Sequence, residues 1–363
     1  MKAVNLLELE DLARERLPQG PFDFIAGGAE DEVTLRANRE AFQRIQLRPR
    51  VLVDVSTVDP STEVLGRRVE LPVLLAPVAL QRLAHDEGEL ASARAAEAAG
   101  TVMVLSTVST CTLEDVAAAA GGHKWFQLYP LRNKEGTERL ISRAKAAGYT
   151  AICVTADVPW LGRREADIRN NLQFGADIVP ANLLDEIRLA DLASGPRGPA
   201  GGAAAGLSDP GLDWDGIDWI RSVSSPLPVL VKGILTAEDA RLAVEHGVEG
   251  VIVSNHGGRQ LDGAPASIEA LPEVVAAVEG RAEVLLDSGI RRGTDVLKAL
   301  ALGARAVLIG RPYIWGLAID GEAGVSSVLS MLREEIELAM ALSGCPTVAD
   351  IDRSRVRLGS PAE

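Results

Sequence analysis

Aromatic residues make up only 4% of this chain, although 47% of it is hydrophobic. The core must therefore be aliphatic, built from Val, Leu, Ile and Ala. Cysteine is scarce: Cys111, Cys153 and Cys345 are odd in number and widely spaced, which excludes a disulfide framework and matches no zinc-ligand spacing, so no metal is expected. No apolar run approaches the ~18 residues of a membrane-spanning helix. Basic residues are outnumbered, 37 Lys and Arg against 51 Asp and Glu, giving a net charge of −14. That balance argues against nucleic acid or an anionic membrane as partner. The opening residues Met1-Lys2-Ala3-Val4-Asn5-Leu6-Leu7-Glu8 turn acidic too early for a secretory signal. The expectation is a reduced, cytoplasmic enzyme acting on a small molecule. Histidine is rare as well, with four in all, so the position of each is informative.

What the chain has in quantity is alternation. Eight short apolar runs occur at 73–77, 102–106, 125–129, 151–157, 228–233, 250–256, 283–288 and 306–311. Ala- and charge-rich segments of helical length lie between most of them, at 87–99, 112–120, 137–147, 236–246, 268–278 and 294–301. Strand–helix alternation implies parallel pairing with right-handed crossovers. Within 363 residues, eight such units close most naturally into an α/β architecture of the (β/α)8 TIM-barrel type, a single domain over 1–363. An open doubly wound sheet is the alternative, but no Gly-x-Gly-x-x-Gly follows the first run. A helical extension is expected over 1–60, from the leucines at 6, 7, 9, 12 and 17 and a charged helix at about 29–42. A helical tail over 325–363 should end its helix at Gly344. Between 173 and 218 runs a long Gly/Ala/Pro-rich connection after strand four, expected to be a lid over the mouth.

In a parallel barrel, functional groups collect just past the carboxyl ends of the strands. There the sequence places Pro77, Val78 and Ala79; Ser106; Gln127 and Tyr129; Thr155 and Asp157; Lys232; Ser254, His256 and Arg259; Asp287, Gly289 and Arg291; and Gly310 and Arg311. Polar groups in a buried layer are costly unless paired or bound to a ligand, so so many converging on one mouth point to a ligand. His256 ends a β-branched run and sits three residues before Arg259. A histidine there moves protons near neutral pH, and an arginine grips a carboxylate through two parallel hydrogen bonds. The segments after strands seven and eight, with Gly289, Arg291, Gly310 and Arg311, suit a phosphate.

The runs 253–262, 161–167, 232–240 and 291–295 resemble the FMN-dependent 2-hydroxy acid oxidising enzymes, the family of glycolate oxidase, lactate oxidase, mandelate dehydrogenase and hydroxymandelate oxidase. The resemblance covers nearly the whole chain, and the Ser-Asn-His-Gly-Gly-Arg-Gln-Leu-Asp run is highly specific. It implies FMN as cofactor, with its phosphate at Gly289, Arg291, Gly310 and Arg311 and its ribityl chain at Asp287. Gln127, Thr155, Ser106, Ser254 and Lys232 would face the polar parts of the ring, and Pro77, Val78 and Ala79 would lie along it. Lys232 would stabilise negative charge on the reduced ring. His256 would take the substrate's proton with Asp157 stabilising the imidazolium. Arg259 and Arg164 would hold the carboxylate, and Tyr129 would bond the reacting hydroxyl or carboxylate.

Two positions depart from the short-chain members of that family. Phe24 stands where they carry a tyrosine that helps hold the carboxylate, and Val108 where glycolate oxidases carry a tryptophan. Both make the pocket larger and more apolar, so the expected substrate is a bulky or aromatic (S)-2-hydroxy acid such as mandelate. The 173–218 connection lacks a sizeable apolar patch, which favours O2 as acceptor and H2O2 as product, without a membrane. The resemblance also implies a homotetramer. The rivals are a soluble dehydrogenase with another acceptor or a carrier-bound substrate, and a flavin-free phosphate-binding isomerase or lyase on the same barrel.

Overall fold

The computed structural model describes residues 3–175, 178–184 and 208–359. Its centre is a closed barrel of eight parallel strands. We number them β1 (Val73–Leu75), β2 (Met103–Ser106), β3 (Lys124–Leu128), β4 (Ile152–Thr155), β5 (Val229–Ile234), β6 (Gly250–Val253), β7 (Glu283–Leu286) and β8 (Ala306–Ile309). β8 closes the ring on β1 with Val307 opposite Val73. After the respective strands come α1 (Glu89–Ala98), α2 (Leu113–Ala119), α3 (Lys134–Ala146), α4 (Trp214–Ser224), α5 (Ala237–Glu245), α6 (Ser267–Val278), α7 (Gly293–Ala301) and α8 (Arg311–Ser343). Each of the eight expected strand runs overlaps a barrel strand, two of them with an end displaced by one residue (β3 begins at Lys124 and β5 ends at Ile234), and the expected α/β barrel is the fold.

Side chains of a strand alternate between faces, which divides the core in two. Outward residues such as Leu75, Leu105, Phe126, Val154, Val231, Val253 and Leu286 pack under the helices. Inward, one residue per strand fills the barrel: Leu74, Val104, Trp125, Cys153, Leu230, Ile252, Leu285 and Leu308 form a separate buried cluster. Trp125 is the one bulky aromatic in this layer, consistent with the aliphatic composition.

The amino-terminal end of the barrel is closed by a hairpin absent from the sequence expectation, Thr62–Val64 paired with Arg67–Val69. Its Val64 and Val69 join the inner cluster, and Leu65 N–H donates to Glu283 at the start of β7 at 3.0 Å. Leu65 and Gly66 both take positive φ, 49° and 69°, the twist a two-residue hairpin turn requires. The leucine there is what hid the turn from sequence reading.

At the carboxyl end lies the preface: a short 3-10 turn (Leu6–Glu8) and helices Leu9–Arg14, Gln19–Ala26 and Val33–Gln43. Phe22 stacks on Trp315 of α8 with centroids 5.0 Å apart. Two expectations about the end of the chain change. Helix formation resumes at Arg311, directly after β8, and α8 breaks at Asp320 and Gly321. Its second arm folds back on the first where two glycines meet; a Cβ on Gly324 would lie 1.8 Å from the Gly316 carbonyl oxygen. Past Gly344, left-handed as expected at φ 67°, the tail is not helical. Two 3-10 turns lead to strand Val356–Leu358, which pairs antiparallel with Ile45–Leu47. Most of the connection expected as a lid, at 176–177 and 185–207, lies outside the described residues.

Replacing Trp125 by Ala removes the largest side chain of the inner layer. A loss of roughly 3–5 kcal/mol is expected, read as a lowered urea midpoint at unchanged slope.

Candidate active site

Two residues beyond each inward core residue the chain turns inward again, and the ring this makes is Ala76, Ser106, Gln127, Thr155, Lys232, Ser254, Asp287 and Gly310. Strand register sets neighbours side by side: Ser106 opposite Gln127, and Thr155 opposite Lys232. The layer below is apolar and the layer above is polar, so the barrel ends in a chemically equipped floor. Over it opens a cavity of about 1270 Å³, counting the part open to solvent.

Lys232 is buried in that floor. Its Nζ donates to Ser254 Oγ at 2.8 Å and lies 3.2 Å from Asp287 Oδ2. Burial works against its charge, but Asp287 and Asp157 prevail and raise its pKa. Ser254 Oγ also accepts from the His256 backbone N–H at 3.0 Å. His256 Nδ1 meets Asp157 Oδ1 at 2.9 Å, which leaves Nε2 as the free ring nitrogen. His256 takes a left-handed conformation, φ 58°, and the next turn runs Gly257 to Gly258. A side chain at Gly258 is impossible, because a Cβ would come within 2.6 Å of Leu35 N. Burial holds the histidine pKa below its ordinary value, with Asp157 opposing. Burial pushes Asp157 the other way, but His256 and Lys232 outweigh it and keep the carboxylate ionised. The pair at neutral pH is a neutral imidazole on an anionic carboxylate, a base with its orienting partner. Burial, then Asp157, pushes Tyr129 up to about 12, so its hydroxyl remains a donor.

Four arginines surround the cavity. Arg259 donates to Gly27 O at 2.8 Å, and its guanidinium lies 5.3 Å from the Phe24 ring centre. Arg164 Nε is buried without a hydrogen-bond partner, as are Gln127 Nε2 and Asp157 Oδ2. Burial and mutual repulsion lower Arg259 well below its ordinary value, Arg291 to about 9 and Arg311 to about 10. Such a set of crowded cations is stabilised by bound anions. Near Arg291 and Arg311, Gly310 caps the start of α8, and a Cβ on it would meet nothing nearer than Val78 at 3.7 Å. Free space, backbone donors at a helix start and paired cations fit a phosphate group. Orphaned polar atoms in the floor fit a polar ring above it.

A model of the FMN-dependent dehydrogenase family matches residues 13–358. The chain belongs to that family. It is 53% identical to an L-lactate oxidase from Nostoc sp., over 98% of both chains. It is 50% identical to glycolate oxidase 3 of Arabidopsis thaliana, over 98% of this chain and 96% of the relative. A solved structure of mandelate oxidase with (S)-4-hydroxymandelic acid superposes with a TM-score of 0.92 at 47% identity, covering 98% of this chain and 99% of that one. The protein is accordingly an FMN-dependent oxidoreductase of the 2-hydroxy acid oxidase group, and the flavin-free isomerase or lyase is set aside.

Within this flavoenzyme the expected residues fall into three groups. Lining the cavity are Phe24, Pro77, Val78, Ala79, Ser106, Val108, Tyr129, Arg164, Lys232, His256, Arg259, Asp287, Gly289, Arg291, Gly310 and Arg311. Asp157, Ser254 and Gln127 stand behind it. Gln127 Oε1 accepts from Ser106 Oγ and Thr107 N–H, both at 3.2 Å. Thr155 opens instead onto a neighbouring cavity shared with Tyr129 and Val158. Arg311 differs most from expectation. Its guanidinium donates to the carbonyls of Ile25, Ala26, Gly27 and Gly257 at 2.9–3.1 Å, tying the preface to the histidine loop. The Arg291 guanidinium is less engaged, donating from Nη1 to Ile290 O at 2.9 Å. Sequence reading missed Ser288, which lines the cavity at φ 74°, donates to Asp287 Oδ1 at 2.7 Å and accepts from Gly257 N–H at 3.0 Å. Its place between Asp287 and Gly289 was the available signal.

If His256 is the base it must be neutral to take a proton, and burial holds its pKa below the ordinary histidine value. kcat/KM is therefore expected to rise with pH to a plateau whose acid limb lies below that value. His256→Gln should cost roughly 10²–10⁴-fold. Asp157→Asn removes a charge that raises the histidine, so its pH profile should show the limb displaced to lower pH.

Proposed function

We propose that this protein oxidises bulky or aromatic (S)-2-hydroxy acids, mandelate-like, to the 2-oxo acids. O2 is the acceptor and takes up the two electrons and two protons to leave as H2O2. The observation that carries the substrate reading is the cavity wall. Phe24 and Val108 line it with Ile25, Val158 and Leu161, beside the guanidinium of Arg259. Phe24 offers no hydroxyl to a carboxylate, and Val108 leaves the volume of a larger side chain unfilled. Identity over the whole chain is higher to the lactate and glycolate oxidases than to mandelate oxidase. Whole-chain identity is dominated by the barrel, however, whereas substrate size is decided by a few wall residues.

Bound in the cavity, FMN supplies the two-electron acceptor. Gly289, Arg291 and Gly310 would hold its phosphate, with the charge of Arg311 nearby, Asp287 its ribityl chain, and Pro77, Val78 and Ala79 the ring. Ser106, Gln127, Thr155, Ser254 and Lys232 would serve its polar groups. Arg164 and Arg259 bind the substrate carboxylate as a charge-assisted pair, and Tyr129 donates to the substrate hydroxyl or carboxylate. His256 takes the substrate proton on Nε2, and Asp157 stabilises the imidazolium that forms. Lys232 keeps a fixed positive charge in the floor throughout.

The whole chain is read as one catalytic unit. No helix among the described residues is long and apolar enough to cross a membrane. Three buried, unbridged cysteines support a reducing compartment, the cytoplasm. Val51 and Leu52 are exposed just past Arg50, whose N–H donates to Ser343 O at 3.2 Å at the end of α8, and Leu338 and Leu342 are exposed on α8 itself; exposed apolar side chains of this kind support self-association, here as a homotetramer.

Anaerobic addition of (S)-mandelate should bleach the flavin absorbance, and air should restore it. kcat/KM for mandelate should exceed that for glycolate, and Val108→Trp should lower the mandelate value roughly tenfold or more. A strong preference for glycolate would overturn the substrate reading.

A further inference from the structure

The preface helix Val33–Gln43 is placed to do more than cover the barrel. Its amino end is fixed by Asp262, six residues beyond His256, which accepts from Val33 N–H at 3.1 Å and Thr34 N–H at 2.8 Å. Side chains at successive positions of a helix point about 100° apart. Adjacent residues can therefore serve different neighbours, and Asn38 and Arg39 do. Asn38 is buried and forms a reciprocal amide pair with Asn255, at 2.9 and 2.7 Å. Asn255 Oδ1 also accepts from Gly258 N–H at 3.1 Å, and its Nδ2 donates to Pro265 O at 3.0 Å. The pair thus grips the loop carrying His256 and Arg259 on both sides of the histidine.

Arg39 reaches the other loop. A single nitrogen, Nη1, donates to the Gly289 carbonyl and, at 3.0 Å, to Asp295 Oδ2. Asp295 Oδ2 in turn accepts from the backbone N–H groups of Arg291 at 2.9 Å and Arg292 at 3.1 Å. Gly289 itself lies flat against the helix, where a Cβ would come within 2.2 Å of Asn38 O. Two consecutive residues of one helix therefore hold the catalytic loop after β6 and the phosphate-type loop after β7.

We infer that Asn38 and Arg39 are positioning residues that divide the site between them. Arg39 sets the Gly289–Arg291 loop for the phosphate of FMN, and Asn38 sets the His256–Arg259 loop for the substrate. The inference rests on the FMN reading above. Neither residue touches the cavity, and the two act through different partners, so their effects should separate.

The test compares Arg39→Ala, Arg39→Lys and Asn38→Ala in the full chain. FMN dissociation is read from the fluorescence of released flavin, and kcat and KM for (S)-mandelate are read at saturating FMN. Loss of a charge-assisted hydrogen bond predicts that Arg39→Ala raises the FMN dissociation constant about tenfold, well beyond its effect on KM. Arg39→Lys should recover most of that affinity, because one nitrogen makes both bonds. Asn38→Ala should lower kcat/KM several-fold more than it weakens FMN. If Asn38→Ala does not fold, Asn38→Ser is held to the same criterion. Shifts in FMN affinity and kcat/KM in the same proportion for both positions, or a lysine no better than alanine, would overturn the inference. Failure of the unaltered protein to bind FMN would count against the functional reading instead.

Discussion

Everything in this molecule hangs on the closure of eight parallel strands into one ring. Closure leaves no strand edge, and it forces alternate side chains of every strand into a common interior. The interior is too narrow for water and must be filled, which Leu74, Val104, Trp125, Cys153, Leu230, Ile252, Leu285 and Leu308 do. The next inward position on each strand then has no choice of direction. Ser106, Gln127, Thr155, Lys232, Ser254 and Asp287 converge because the apolar layer beneath them is packed and in register.

Polar groups held in this way carry an electrostatic cost, and the site shows it. Lys232 is kept charged by Asp287 and Asp157, Asp157 is kept ionised by His256 and Lys232, and His256 is kept neutral by burial. Each group is held in the state its proposed role requires by its neighbours rather than by its intrinsic chemistry. The arginines are different. Burial lowers Arg259, Arg291 and Arg311, and the charge of Arg311 adds to the lowering of the other two, an arrangement that a bound anion would relieve.

The second level of organisation comes from outside the barrel. The preface is joined to the mouth by Arg311 and Arg259 on the carbonyls of residues 25–27, by Asp262 at the helix start, and by the Asn38–Asn255 pair. The loops after β6 and β7 lie close against that preface, where a Cβ on Gly258 would meet Leu35 N at 2.6 Å and one on Gly289 would meet Asn38 O at 2.2 Å. The first 60 residues thus supply the outer clamp of a site whose chemistry resides in the barrel.

The sequence by itself determined the barrel, because burial on both faces writes a parallel strand as a continuous aliphatic run and the crossover helices write their own period between such runs. It also determined the position of the polar floor, since six of the eight runs carry near their carboxyl end a residue too polar to bury without purpose. Gly344 could be read as a helix stop because a left-handed residue ends helices for a local reason. What depends on distant partners could be decided only by the tertiary structure. The hairpin at Thr62–Val64 and Arg67–Val69 is stable as a plug because Val64 and Val69 find the barrel interior. The fold-back of α8 is possible because Gly316 and Gly324 meet across the break. Arg311, which looks like a phosphate ligand from its place after β8, is drawn to the carbonyls of the preface. Asn38 and Arg39 carry no signal at all in the chain, since an asparagine and an arginine on a surface-patterned helix are ordinary until two loops more than 200 positions away are folded against them.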